Sequence, residues 1–450
     1  MTERKRKAHF ALYACRKAFG KTWGLKPKML AWVYTAVIRP ILTYGAIVWW
    51  TGLMSNSNVS SISRVQRQAC LAITGALRTT SNESLNTILG LLPVEDCVME
   101  YAALAAVRLK CLGSWVTKSY GHMTILIRFH FNENIKYDNI SPIYNFDQRY
   151  KAEFPSREDW RNSELPYLAD VVIYTDGSKS ANGCGAGYHV ESYGINRGFK
   201  IPMECSVIQC EIFAITRAAE FAKSMDFTGK RIIIFSDSQM AINSLVSNTV
   251  KSTTVLECIR VLNEVALVNQ VTLTWVPGHS EVEGNEIADL LAKQGANLHD
   301  SYISKVPIPL PIAKLKIQEL GERKWTRKWE NVSTSKTSKI LWPEINRKVS
   351  NFILTLERRS LRKIVQLISG HMTIGRHALR LGIVSSPTCL CCETPAVEVD
   401  SFHYWCSCST LSLLRFKFLG QYYFPSLDCL RNIGLSDKIT FILNSYWFLG

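Results

Sequence analysis

Two short stretches of this chain, VVIYTD ending at Asp176 and IIIFSD ending at Asp237, follow one grammar: an apolar, β-branched run that stops on an aspartate. Such runs read as buried strands. If the two strands are neighbours in one sheet, they set two acids side by side. Asp176 is followed by Gly177 and Ser178, and Asp-Gly also makes turns, since Asp bonds its own backbone and Gly accepts positive φ. At this level Asp176 reads either as a turn former or as the head of a site.

The surrounding pattern is mixed α/β. Strands are expected near 170–176, 184–190 and 195–201, a helix near 207–225, a fourth strand in RIIIFSD, a fifth in VTLTWV and a closing helix near 284–297. Short Gly-containing turns favour antiparallel hairpins for the first three strands. Glu211 sits on the apolar stripe of its helix, because positions i+3, i+4 and i+7 are Ala214, Ile215 and Ala218. Asp289 follows Asn285 by one turn, near the start of the closing helix. A carboxylate facing a core is costly unless paired or bound to a cation, and no run of Lys or Arg lies beside these four acids. Gathered acids raise each other's pKa, so a divalent metal is the economical neutraliser; oxygen ligands favour Mg²⁺ or Mn²⁺ over zinc. Taken singly, Asp176 reads as a turn former and Asp289 as an exposed helix residue. All four being bland together is the poorer account.

The segments YTDGSKSANGCGAGY, QCEIFAITRAAE, IFSDSQMAINSL and WVPGHSEVEGNEIADLLAKQGA resemble, in order and spacing, the four successive motifs of the ribonuclease H family. The resemblance covers about 130 residues, 167–298. It implies an RNase H-like α/β fold, a five-stranded mixed sheet with helices on both faces. It also implies endonucleolytic, two-metal hydrolysis of the RNA strand of an RNA–DNA hybrid. On the family pattern Asp176 would bridge two Mg²⁺ (or Mn²⁺) ions, one shared with Asp289 and the other with Glu211 and Asp237. His279 matches the family's mobile histidine, linked to proton transfer or product release. Asn285 would orient Asp289 or touch the phosphate, and Gly177 and Ser178 would let the backbone approach the RNA strand and its 2′-hydroxyls.

A net charge of +16 makes a field that attracts polyanions, nucleic acid first and anionic membrane second. The apolar stretch Met29–Trp50 carries Arg39-Pro40 in its middle, and a central arginine costs about 2.5–3.5 kcal/mol on insertion scales. It is therefore read as two buried amphipathic segments and no membrane span is expected. The start, MTERKRKAHF, lacks the apolar core of a secretory signal, so an intracellular setting, nuclear or cytoplasmic, is expected for the 14 cysteines.

Five regions are expected: a helical region 1–120, a linker 121–166, the α/β domain 167–298, a Pro-rich connector 299–313 and a basic helical tail 314–450. The stretches AFGKTWGLKPKMLAWVYTAVIRPILTYGAIVWW and SRVQRQACLAITGALRTT resemble the region between polymerase palm and RNase H in non-LTR (LINE-type, Jockey-like) retrotransposon polyproteins. The chain holds no Asp-Asp pair of the kind a polymerase palm uses, so the expectation is the C-terminal part of such a polyprotein, without polymerase chemistry. In the tail, Cys389, Cys392, His403 and Cys408 read C-x2-C-x10-H-x4-C, a set suited to tetrahedral Zn²⁺; Cys391 and Cys406 are extra thiols that blur the choice, and reduced structural cysteines are the alternative. Trp325 and Trp329 read either as bases' stacking partners or as helix anchors. The leading reading is an RNA–DNA hybrid ribonuclease; the alternative is a catalytically idle nucleic-acid-binding remnant of a retroelement.

Overall fold

The computed structural model describes residues 2–20, 23–116, 118–130, 136–161, 169–181, 183–278, 282–392 and 397–445. They form two compact units, one of residues 104–119 and 126–316, the other of residues 1–103, 120–125 and 317–450.

The first unit is built on strands β1 (Lys151–Glu153), β2 (Val171–Lys179), β3 (Cys184–Val190), β4 (Ile195–Ile201), β5 (Arg231–Ser236) and β6 (Gln270–Trp275). Their order is β1-β6-β5-β2-β3-β4. The β2–β3–β4 meander is antiparallel, and β2–β5, β5–β6 and β1–β6 pair in parallel. Helices α1 (Val207–Ser224), α2 (Gln239–Leu245), α3 (Thr253–Val265) and α4 (Glu283–Ala296) complete it. Alternate residues of a strand face opposite sides. Ile173, Ile232, Ile234 and Leu273 thus join Ile215 and Ile259 of α1 and α3 in one core, while Tyr174, Ile233 and Phe235 pack with Ala288 of α4 in another. The expected mixed sheet with helices on both faces is present, with one strand more than expected.

That strand comes from the segment expected to be a linker. β1 is three residues, mostly exposed, at the sheet edge, and so carries no apolar alternation by which a sequence reveals a strand. Asp138, from the same segment, is a hub: it accepts from Ser252 Oγ (2.8 Å), Thr253 Oγ1 (2.8 Å), the Thr254 amide (3.0 Å) and Gln209 Nε2 (2.8 Å). It thereby caps α3 and ties α3 to the start of α1.

A second difference concerns Asp176, which does not end its strand. β2 runs on to Lys179, with Asp176, Gly177 and Ser178 paired to Gly187, Ala186 and Gly185; the turn follows, where the Ser180 amide donates to Gly183 O at 2.9 Å. The partner strand is glycine-rich because α4 lies on it. A Cβ on Gly185 would stand 2.2 Å from Ala292 O, and one on Gly187 2.6 Å from Ala292 N.

The second unit is helical, and within it residues of the N-terminal region and of the tail pack together. Arg358, 5% exposed, donates to the carbonyls of Gly20 (2.9 Å), Leu25 (3.1 Å) and Ala72 (2.6 Å), so one buried guanidinium staples segments 286 to 338 residues apart. Trp50, Trp342 and Trp405 are fully buried. Among the described residues no single helix is long and apolar enough to cross a membrane; Pro27–Thr43 and Ala46–Met54 reach that only together, across a 49° bend.

Candidate active site

Parallel register decides which acids meet. Thr175 of β2 lies opposite Ser236 of β5, so the next residues, Asp176 within β2 and Asp237 just past the end of β5, stand side by side. Two bonds hold this corner: Thr175 Oγ1 donates to Phe235 O (2.8 Å), and the Trp275 indole donates to Asp237 O (3.0 Å).

Glu211 arrives from α1. That helix begins with a capping box in which Ser206 accepts from the Gln209 amide and the Gln209 side chain accepts from the Ser206 amide. Gln209 Nε2 also donates to Asp138 (2.8 Å) and Pro307 O (2.9 Å), so the first turn is tied down. Asp176 shares the α4 side of β2 with Tyr174, whereas α1 lies on the other side. Gly177 is what lets them meet: a Cβ there would fall 2.3 Å from Glu211 N and 2.6 Å from the Cys210 carbonyl carbon. The structure thus gives Gly177, expected to approach the RNA, the task of seating α1.

The outcome is a buried acidic cluster. Ligand oxygens of Asp176, Glu211 and Asp237 all lie within 4.8 Å of one another. Asp176 is 6% and Glu211 4% exposed, and Glu211 Oε2 is buried without a hydrogen-bond partner among the described residues. Burial, then the neighbouring Asp237 and Asp289 charges, pushes Asp176 up to about 7. Burial, then the Asp176 charge, pushes Glu211 well above the usual carboxylate range. The Gly177 amide pulls both the other way. A hard divalent cation would turn each of these penalties into an attraction, and the donor set fits one.

Asp289 stands slightly apart. It acts electrostatically on Asp176 and Glu211, but it is not among the three converged ligands, and its Oδ2 accepts from Lys293 Nζ at 2.6 Å. No run of Lys or Arg was expected beside the acids, and Lys293 is a single partner; its position four residues after Asp289 on a helix was the available signal. Asn285 is 3% exposed with Oδ1 unpartnered among the described residues. Ser178 is half-buried on β2. His279 lies outside the described residues.

In the second unit, Cys389, Cys392, His403 and Cys408 converge, with ligand atoms all within 4.8 Å. Cys392 Sγ is 3.6 Å from Cys408 Sγ and 3.5 Å from His403 Nε2. Tetrahedral zinc with Zn–S near 2.3 Å sets thiolates about 3.8 Å apart, so the set fits zinc closely. Bonds from Cys389 N to Val397 O and Val399 N to Pro387 O, both 2.8 Å, hold the first ligand, and His403 N donates to Asp400 Oδ1 at 2.8 Å. Cys391 and Cys406 are not in the group. Trp325 and Trp329 are 3% and 2% exposed, and Trp329 donates to Trp342 O at 3.2 Å. They anchor a helix and offer no face to a base.

Residues 169–297 match the family model of RNase H. The chain is 34% identical over 149 residues to human Ribonuclease H1, covering 29% of this chain and 51% of that protein, and 30% identical over 144 residues to the rat Ribonuclease H1, covering 28% and 50%. The chain spans about half the length of these relatives. Over 92 residues it is 30% identical to a retrovirus-related Pol polyprotein from the type-1 retrotransposable element R1 of Nasonia vitripennis, covering 20% of this chain and 27% of that one. Among solved structures, RNase H1 from the halophilic archaeon Halobacterium salinarum NRC-1 is 23% identical and covers 28% of this chain and 96% of that one, with a TM-score of 0.24.

Proposed function

We propose that the RNase H domain at residues 169–297 hydrolyses the RNA strand of RNA–DNA hybrids endonucleolytically, within a retrotransposon-derived protein, using two divalent cations, Mg²⁺ or Mn²⁺. The observation that carries this reading is the buried convergence of Asp176, Glu211 and Asp237 within 4.8 Å, with Asp289 beside them. Divalent cations bound there supply Lewis-acid activation of the scissile phosphate and of water.

The chain's own residues do the rest. Asp176, Glu211 and Asp237 hold the cations. Asp289, released from Lys293 or shared with it, completes the set. Asn285, buried next to the start of α4 with its carbonyl oxygen unpartnered, orients the Asp289 side. His279 moves a proton to the departing group, and Ser178 on β2 touches the RNA strand. The C-x2-C-x10-H-x4-C group holds zinc as a structural staple of the second unit, where metal binding adds folding energy.

The test is cleavage of an end-labelled RNA–DNA hybrid with Mg²⁺ or Mn²⁺, wild type against Asp176→Asn, with single-stranded RNA and duplex DNA as controls. Metal-dependent cutting of the hybrid alone, absent in the variant, is expected. Hybrid binding without cutting by a folded wild type would favour an idle remnant.

A further inference from the structure

After Glu3 the chain carries no acidic residue until Glu83, while it places 13 Lys and Arg between them. The helix Thr2–Cys15 buries Ala8 and Leu12. The opposite face, reached at helical spacing, leaves Phe10 and Tyr13 75% and 66% exposed, flanked along the same face by the exposed Lys7 and by Lys17 just past the helix. Beside the start of this helix the Arg4 guanidinium lies 4.1 Å above the ring of Tyr44, itself 65% exposed. The one acid, Glu3, is held by Arg6 at 2.9 Å and lies 3.8 Å from Lys7, so two cations share one carboxylate.

We propose that this face binds single-stranded nucleic acid, at a site separate from the acidic cluster. Aromatic faces stack on unpaired bases and interleaved cations neutralise the phosphates between them. The interleaving decides against a membrane, since an interfacial helix segregates an apolar face from a charged one. Here cations and aromatics share one face, and the buried face is already packed. Unpaired bases are required because a duplex hides their faces. The absence of any acid across some eighty residues of sequence supplies the charge complementarity.

The experiment uses the full chain, with a fluorescent 20-nucleotide oligouridine as probe read by anisotropy, and vesicles of phosphatidylcholine and phosphatidylserine in a parallel sedimentation assay. Phe10→Ala/Tyr13→Ala is expected to weaken oligouridine binding about tenfold or more. Lys7→Gln/Lys17→Gln is expected to flatten the salt dependence by about 1.4 in the log–log slope. Both pairs are exposed, so circular dichroism should match wild type, and hybrid cleavage at saturating substrate should be unchanged. Wild-type affinity for oligouridine in both variants overturns the proposal, as does loss of vesicle binding with oligouridine binding intact. Asp176→Asn separates the two readings: it should keep full oligouridine affinity. A wild type that binds oligouridine through this face yet cuts no hybrid leaves this proposal standing and removes the catalytic one.

Discussion

Asp176→Asn should make the metal-free protein more stable while removing its activity. Asp176 is 6% exposed and held at about 7, mainly by burial and then by Asp237 and Asp289. An unfolded aspartate titrates near 3.9, so the folded state binds the extra proton between about pH 4 and 7. For an acid with a raised folded pKa, that means stability is lost as pH rises through this window. At about 1.36 kcal/mol per pH unit the full loss is roughly 4 kcal/mol. Because the cluster shares its repulsion among three carboxylates, neutralising one recovers part of it, on the order of 2 kcal/mol. Asparagine keeps the shape and removes the charge. The two units need not unfold together, so the readout is amide exchange of peptides from β2 and the first turns of α1, in EDTA, at pH 4 and pH 8. At pH 8 the variant should be slower-exchanging by the equivalent of about 2 kcal/mol, and at pH 4 the two should coincide. Added Mg²⁺ should protect wild type and leave the variant nearly unmoved. A variant that exchanges faster than wild type at pH 8 in EDTA, or a gap that does not change with pH, would refute the reasoning that this cluster stores electrostatic strain.

Other outcomes follow from the same geometry. Gly177→Ala puts a methyl group 2.3 Å from Glu211 N; α1 must shift, and hybrid cleavage should fall about 100-fold with a stability loss of roughly 1–3 kcal/mol, both read on the purified variant. Lys293→Gln removes a charge that lowers the Asp176 pKa, so the acidic limb of the pH–rate profile should move up by a few tenths of a pH unit; a limb that stays put would show that Lys293 does not couple to the cluster. Asp138→Ala uncaps α3 and frees Gln209, and urea unfolding of the first unit should register a loss of about 1–3 kcal/mol. Metal analysis should find one zinc per chain, kept by Cys391→Ser and Cys406→Ser and lost by Cys392→Ser; zinc retained in the last variant would remove the four-ligand assignment.

Three of the four acidic residues were legible in the sequence because each breaks a local rule: Asp176 and Asp237 follow apolar runs, and Glu211 sits on an apolar helix face. Several of the surrounding elements were legible as well: the strands at 184–190 and 195–201, bounded by turns, and the helix from 207, with its apolar stripe, lie where expected. The cysteine and histidine spacing likewise announced a ligand set, though only the fold separated Cys389, Cys392, His403 and Cys408 from Cys391 and Cys406.

What the sequence by itself determined is therefore the set of chemical groups and the local elements that bear them, because those depend on neighbours one to four residues away. What only the tertiary structure decided is everything that depends on register and close approach. The parallel pairing of Thr175 with Ser236 brings two aspartates together. The missing side chain at Gly177 lets α1 deliver Glu211 past the strand. A short polar strand and Asp138, drawn from an apparent linker, extend the sheet by one edge strand and cap α3. These contacts join residues tens to more than a hundred positions apart, and no local pattern of apolar and polar residues encodes which distant strand a given strand will meet.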